Sequence, residues 1–178
     1  CASGSVQPTA GQTSCNQCGY GTYDDGSNEV CANCASGTVQ PAIGQTGCLD
    51  CAAGTYDDGT EVCADCASGS VQPTAAQSSC IECVAGYFDD DTEVCAQCSS
   101  GFVQPTPAQT SCIECVVDFY DDGSETCAAC PAGQNQPSTG QTECVAVACP
   151  DGSTGTNVAS GCTCDAGSTG IIAASSST

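Results

Sequence analysis

CASGTVQPAIGQTGCLDCAAGTYDDGTEVCADC, from Cys34 to Cys66, is the unit from which this chain is built. Its cysteines follow C-x13-C-x2-C-x11-C-x2, and the pattern begins again at Cys66. The same string starts at Cys1, Cys34, Cys66, Cys98 and Cys130, a spacing of 33 residues once and 32 thereafter. Self-similarity at this period marks an array of small units rather than one globule. Each unit divides again into halves that open C-x-x-G and close at a cysteine 12 to 14 positions on. The chain therefore reads as about eleven short loops, each with room for a turn and two stubby strands. The divisions are repeats over 1–33, 34–65, 66–97 and 98–129, a divergent repeat over 130–164, and an incomplete module with a polar tail over 165–178.

Composition limits what can hold such loops together. Of 178 residues, 21 are cysteine and 21 glycine, against five tyrosines, three phenylalanines and no tryptophan. That balance signals a disulfide scaffold rather than a hydrophobic core. A single Val39 or Tyr56 would contribute roughly 1.5–3 kcal/mol if buried, and a short loop has one or two such residues to bury. Ordering costs on the order of 1.5 kcal/mol per residue, whereas a bridge closing about 15 residues contributes around 3 kcal/mol. The expected fold is small, disulfide-rich and mostly β or irregular, with almost no helix. Proline and glycine punctuate every loop, and no segment carries apolar residues at helical spacing.

The odd halves carry Gln7-Pro8, Gln40-Pro41, Gln72-Pro73, Gln104-Pro105 and Gln136-Pro137; the proline pushes the glutamine towards extended backbone. In the even halves an aspartate pair, often followed by glycine, signals a hairpin turn. Glycine stands three residues after the loop-opening cysteine from Gly4 to Gly152, the place of a positive φ or a close backbone approach. Asp118 takes that place in the eighth loop, and aspartate is one of the few other residues that tolerates it.

Pairing each C-x-x-G cysteine with the next closing cysteine treats every loop alike. It gives Cys1–Cys15, Cys18–Cys31, Cys34–Cys48, Cys51–Cys63, Cys66–Cys80, Cys83–Cys95, Cys98–Cys112, Cys115–Cys127, Cys130–Cys144 and Cys149–Cys162. An interlaced pattern, Cys48–Cys63 with Cys51–Cys66, competes on spacing alone. The sequential scheme leaves Cys164 over. It opens a C-x-x-G loop whose closing cysteine falls due at the end of the chain, so the expectation is a longer natural polypeptide or a bridge between molecules. The chain also opens at Cys1 without methionine or an apolar leader, as a mature product or an excerpt does.

Charge sets further limits. Lysine, arginine and histidine are absent against 21 acidic residues, a net charge of −21. Nucleic acid, heparin-like polymers and anionic membranes are excluded as direct partners, since nothing can neutralise phosphates or sulfates. No apolar run is long enough to insert in a bilayer. The C-x2-C pairs have zinc spacing, but thiolates need a reducing compartment and nearby positive charge, which this chain lacks. The aspartate clusters Asp24/Asp25, Asp57/Asp58, Asp89/Asp90 and Asp121/Asp122 admit two readings, calcium ligation through oxygen or solvated turns. Four equivalent copies on small turns do not make one catalytic cleft, so no enzyme is expected. Serine and threonine beside proline suit O-linked glycans, and no N-glycosylation sequon occurs.

The string Cys51-Ala-Ala-Gly54-Thr-Tyr56 through Cys63-Ala-Asp-Cys66 resembles the cysteine-rich repeats of the ephrin-receptor and tumour-necrosis-factor-receptor type. Cys162-Thr-Cys164-Asp-Ala-Gly167 resembles the C-x-C-x-x-G end of such modules. Similar arrays occur in protist surface antigens and in the hair-like appendages of algal flagella, the mastigonemes. The resemblance implies an elongated rod of tandem β-finger modules on the cell surface or outside the cell. The near-identical units depart from receptor ectodomains, whose modules differ from one another. They favour a structural protein of an extracellular filament, surface coat or flagellar appendage, self-associating as a homopolymer. The alternative is the stalk of a receptor or adhesin whose ligand-binding part lies elsewhere. The odd-loop Gln-Pro and Gly-Gln-Thr segments are either contact ladders to a neighbouring copy or plain turn chemistry.

Overall fold

The computed structural model describes residues 1–27 and 29–167. Among them there is no helix; twenty strands pair consecutively into ten antiparallel two-stranded sheets. Almost every strand is two residues long, as in Thr38–Val39 against Leu49–Asp50, where Val39 faces Leu49 and Thr38 faces Asp50. The even loops follow the same plan, with Thr55–Tyr56 against Ala64–Asp65. The dipeptide inside each C-x2-C is therefore the returning strand of a hairpin, not a linker between loops. One sheet is longer, Phe119–Asp121 against Cys127–Ala129.

The bridges are sequential: Cys1–Cys15, Cys18–Cys31, Cys34–Cys48, Cys51–Cys63, Cys66–Cys80, Cys83–Cys95, Cys98–Cys112, Cys115–Cys127, Cys130–Cys144 and Cys149–Cys162. Each spans a Cα–Cα distance of 5.5–5.8 Å, the usual separation for a relaxed bridge.

The chain divides into two compact units. One comprises Cys1–Cys83 with Asp89–Cys95, and the other comprises Val84–Phe88 with the described residues from Ala96 onward. Each has the same thin core. In the first, Val6, Val39, Val71, Cys18, Cys51 and Cys83 are buried; in the second, Val103 and Cys115 are. The aromatic residues stay out of it, Tyr20 being 61% exposed. In the second, third and fourth repeats one valine, one cystine and one glutamine take the place of a hydrophobic core.

Gly37 shows why the C-x-x-G glycine recurs. Its φ is +87°, and a Cβ there would lie 2.1 Å from the carbonyl oxygen of Ala76 in the next odd loop. Both the left-handed backbone and the close approach demand the missing side chain. Asp118, in the corresponding place in the eighth loop, has φ +63°.

The divergent repeat absorbs its longer step locally. Val147 N–H donates to Gly133 O, Val158 N–H donates to Val147 O, and Ala148 bridges to Asn157. The polar tail expected over Ile171–Thr178 lies outside the described residues.

Candidate functional site

The aspartate clusters were the first candidates, and the two members of each pair have different work. The first carboxylate is tied to backbone. Asp24 Oδ2 accepts from Gly4 N–H at 3.0 Å and its Oδ1 from Gly26 N–H at 2.9 Å. Asp57 takes Gly37 and Gly59, Asp89 takes Gly69 and Asp91, and Asp121 takes Gly101 and Gly123. One bond closes the turn two residues on; the other reaches 20 residues back, to the C-x-x-G glycine of the preceding odd loop. Asp24 and Asp89 are buried in making these bonds.

The second carboxylate of each pair is exposed and caps its own turn. Asp25, Asp58 and Asp122 accept from Ser27, Thr60 and Ser124 N–H at 2.9–3.0 Å. The hydroxyls of those residues, and then their N–H groups, hold the three carboxyls below the usual aspartate value of 3.8. Asp90 accepts from both the N–H and the hydroxyl of Thr92. Among the described residues no group of three or more His, Cys, Asp or Glu side chains is placed to hold a metal ion.

In four of the five Gln-Pro pairs the glutamine side chain turns inward and serves its own loop. Gln40, Gln72, Gln104 and Gln136 are buried. Their Nε2 groups donate to the carbonyls of Gly47, Ser79, Ser111 and Glu143, and their Oε1 atoms accept from the N–H two residues on. Gln7 makes the same two contacts, to Ser14 O and from Thr9 N–H, but is less buried. Sequence reasoning placed these glutamines in extended backbone and missed the clamp. The signal was there: glutamine recurs at this position in every repeat where any polar residue would serve a solvated strand.

Backbone bonds run from each even loop to the odd loop after it. In the first unit, Gly21 N–H meets Gln40 O at 2.9 Å, Asp24 N–H meets Gln45 O at 2.9 Å, and Gly44 N–H meets Cys18 O at 2.7 Å. Gly54, Asp57 and Ala76 repeat the set with Gln72, Gln77 and Cys51. In the second unit, Asp118, Asp121 and Gly140 repeat it with Gln136, Gln141 and Cys115.

What faces solvent is also periodic. Leu49 and Ile81 in the first unit are 56% and 54% exposed, and Ile113 and Val145 in the second are 53% and 48% exposed. Each is the first residue after the cysteine that closes an odd loop. Two shallow clefts recur likewise. One, of about 350 Å³, is lined in the first unit by Gly54, Cys66, Val71, Asp89, Thr92 and Glu93. The other, of about 340 Å³, is lined in the second by the corresponding Gly86, Cys98, Val103, Asp121, Ser124 and Glu125. Cys164 ends the last strand, Thr163–Cys164, facing Ser153 with its side chain exposed.

The family model described as tyrosine-protein kinase ephrin type A/B receptor-like matches residues 21–61, 54–93 and 118–165, more than half of the chain. The chain belongs to the ephrin-receptor-like repeat family. No curated protein matches it. Each ephrin-receptor-like match begins within an even loop and runs on through the odd loop after it. That frame coincides with the hydrogen bonds, which join an even loop to its successor. Repeats of this family, closed by ten disulfides, belong to an extracellular or cell-surface setting. As an ephrin-receptor-like array the chain is an extracellular structural or receptor-stalk module. Among the described residues, no helix is long and apolar enough to cross a membrane.

Proposed function

We propose that this ephrin-receptor-like array is a non-catalytic structural protein of an extracellular filament, surface coat or flagellar appendage, whose chains associate with copies of themselves. The observation that carries the reading is the recurrence of one exposed aliphatic residue in successive repeats, Leu49, Ile81, Ile113 and Val145. Fold stability gains nothing from the half of each side chain left in water, whereas a periodic contact to another chain gains from each copy. The non-catalytic part rests on the carboxylates, whose better-buried members are engaged with backbone N–H groups and serve the fold. A charge of −21 opposes association between identical chains, so assembly requires salt that shortens the screening length to about 8 Å or less.

Sedimentation velocity and negative-stain imaging of the purified chain, at low salt and at ~0.15 M salt, test the reading. Assemblies that form with salt and are lost in the triple variant Leu49→Ser, Ile81→Ser, Ile113→Ser are the expected result. Single chains under every condition would overturn it and favour the stalk of a receptor or adhesin. That second reading is supported by the receptor named in the family's description.

A further inference from the structure

The hydroxyl residues of the chain fall into two groups according to whether the fold uses them. Thr22, Thr38 and Thr55 donate to the carbonyls of Gly19, Ala35 and Ala52. The hydroxyls of Thr60, Thr92 and Ser124 are shared between the turn carboxylates and the carbonyls of Val62, Val94 and Thr126, and Thr74 and Thr106 donate to Gln72 and Gln104. A different set, Thr13, Thr46, Ser78, Thr110 and Thr142, stands two residues before the cysteine closing each odd loop. All five are exposed, and none of their hydroxyls has a hydrogen-bond partner among the described residues. The flanking positions do structural work: the backbone carbonyls of the preceding Gln45, Gln77 and Gln141 accept from the even loop while their Nε2 groups donate to the Ile43, Ala75 and Thr139 carbonyls, and the following residue accepts from the glutamine clamp.

All five odd loops have serine or threonine at this place, while the next residue varies among Ser14, Gly47, Ser79, Ser111 and Glu143. A turn that tolerates glycine and glutamate one position on has no need of a hydroxyl here, so a use outside the fold accounts for the recurrence. Other exposed hydroxyls are less regular. Ser3, Ser36, Ser68 and Ser100 share a position, but Ala132 replaces them in the fifth repeat.

From these observations we infer that Thr13, Thr46, Ser78, Thr110 and Thr142 are the acceptor sites for O-linked sugars, one per odd loop. The hydroxyl oxygen bonds to the anomeric carbon of a sugar carried on a nucleoside diphosphate. The bond from that carbon to the diphosphate breaks, the nucleoside diphosphate leaves, and the hydroxyl proton passes to a base of the transferase. An oxidising secretory route, which the bridges require, brings the chain to such enzymes. The inference is independent of self-association and holds equally for a stalk.

The test is a glycopeptide map of the full chain secreted from a eukaryotic host. With no lysine or arginine for trypsin, cleavage is made at aspartate and glutamate after reduction and alkylation, and sites are read by electron-transfer fragmentation. Hexose or N-acetylhexosamine increments at the five positions are expected. Thr46→Val, which keeps the side chain's shape, loses its own increment completely and retains the bridges, whereas Ser36→Ala loses none. Bare hydroxyls at the five positions, sugars confined to other residues, or phosphate increments in their place would each overturn the assignment. The map of the unaltered chain decides the matter by itself if a variant is not secreted.

Discussion

Replacing Asp89 by alanine removes a link between loops without touching a bridge or the apolar core. Its carboxylate accepts from Gly69 N–H at 2.9 Å and from Asp91 N–H at 3.0 Å. Asp89 and Gly69 are both buried, so water replaces the lost acceptor poorly. A hydrogen bond to a charged acceptor contributes roughly 1.5–3 kcal/mol, and a buried N–H left without a partner costs about 1–3 kcal/mol. These two figures describe the same bond at Gly69 and are not summed. The turn bond at Asp91 is more exposed and adds less, giving about 3 kcal/mol in all. The disulfides are intact in folded and unfolded chains alike, so their contribution is unchanged.

Arrays of repeats need not unfold in one step, so the assay is amide hydrogen exchange resolved at Gly69. About 3 kcal/mol corresponds to roughly 100-fold faster exchange if the whole loss appears in local opening. Asp90→Ala, which removes only an exposed turn cap, provides the control, and Asp89→Asn keeps one acceptor and falls between. Unchanged exchange at Gly69 in Asp89→Ala, or a change no larger than in Asp90→Ala, would refute the assignment of the first aspartate as the inter-loop link.

Other perturbations follow from the same geometry. Gly37→Ala places a Cβ 2.1 Å from Ala76 O at φ +87° and is expected to block folding, read as scrambled bridges in a non-reducing map; Gly59→Ala, with φ +87° in open space, costs about 1–2 kcal/mol from backbone strain alone. Val71→Ala removes buried aliphatic surface worth about 1.6 kcal/mol and lowers the thermal midpoint, while Ile81→Ala, at an only half-buried side chain, lowers it less, costing about 1 kcal/mol. For Asp25, Asp58 and Asp122 the folded pKa lies below 3.8, so their contribution is present above that value and is lost as pH falls through the lower folded value; carboxyl NMR titration should show the three depressed midpoints, and Ser27→Ala, which removes the hydroxyl and keeps the N–H, should raise that of Asp25 part of the way back. Millimolar calcium is expected to leave the thermal midpoint unchanged, because Asp24, Asp57, Asp89 and Asp121 have their oxygens on backbone N–H groups; a rise in midpoint with bound calcium by calorimetry would contradict this.

The repeat and the lack of helix were legible because cysteine, glycine and proline constrain backbone directly. Positive φ at Gly37 and Asp118 follows from which residues occupy one recurring place. What was not legible depends on partners distant in sequence. Asp57 and Asp58 are identical letters in adjacent positions, yet one reaches Gly37 and the other caps Thr60. Only the stacking of loops distinguishes them. The recurrence of Gln40 was visible but its role was not, since a pre-proline glutamine looks solvated until the folded loop brings a carbonyl seven residues on to its amide. Val39 and Tyr56 looked equal as core candidates by area, but the valine is buried and the tyrosine remains only half-buried.

Cystine and polar side chains together explain how a chain with almost no hydrophobic core can be specific. A bridge restricts the unfolded state but does not select among ways of stacking the closed loops. Selection falls to groups whose loss leaves buried polar atoms unpaired: the glutamine amide within an odd loop and the aspartate carboxylate between loops. Each satisfies backbone donors or acceptors that the two-residue strands leave open. The described residues accordingly contain no buried side-chain nitrogen or oxygen without a partner. Specificity is met by these inward polar groups, and Leu49, Ile81 and Ile113 leave about half of their surface in solvent. Substituting them should alter assembly while leaving exchange at Gly69 unchanged, which separates the surface's role from the scaffold's in one pair of measurements.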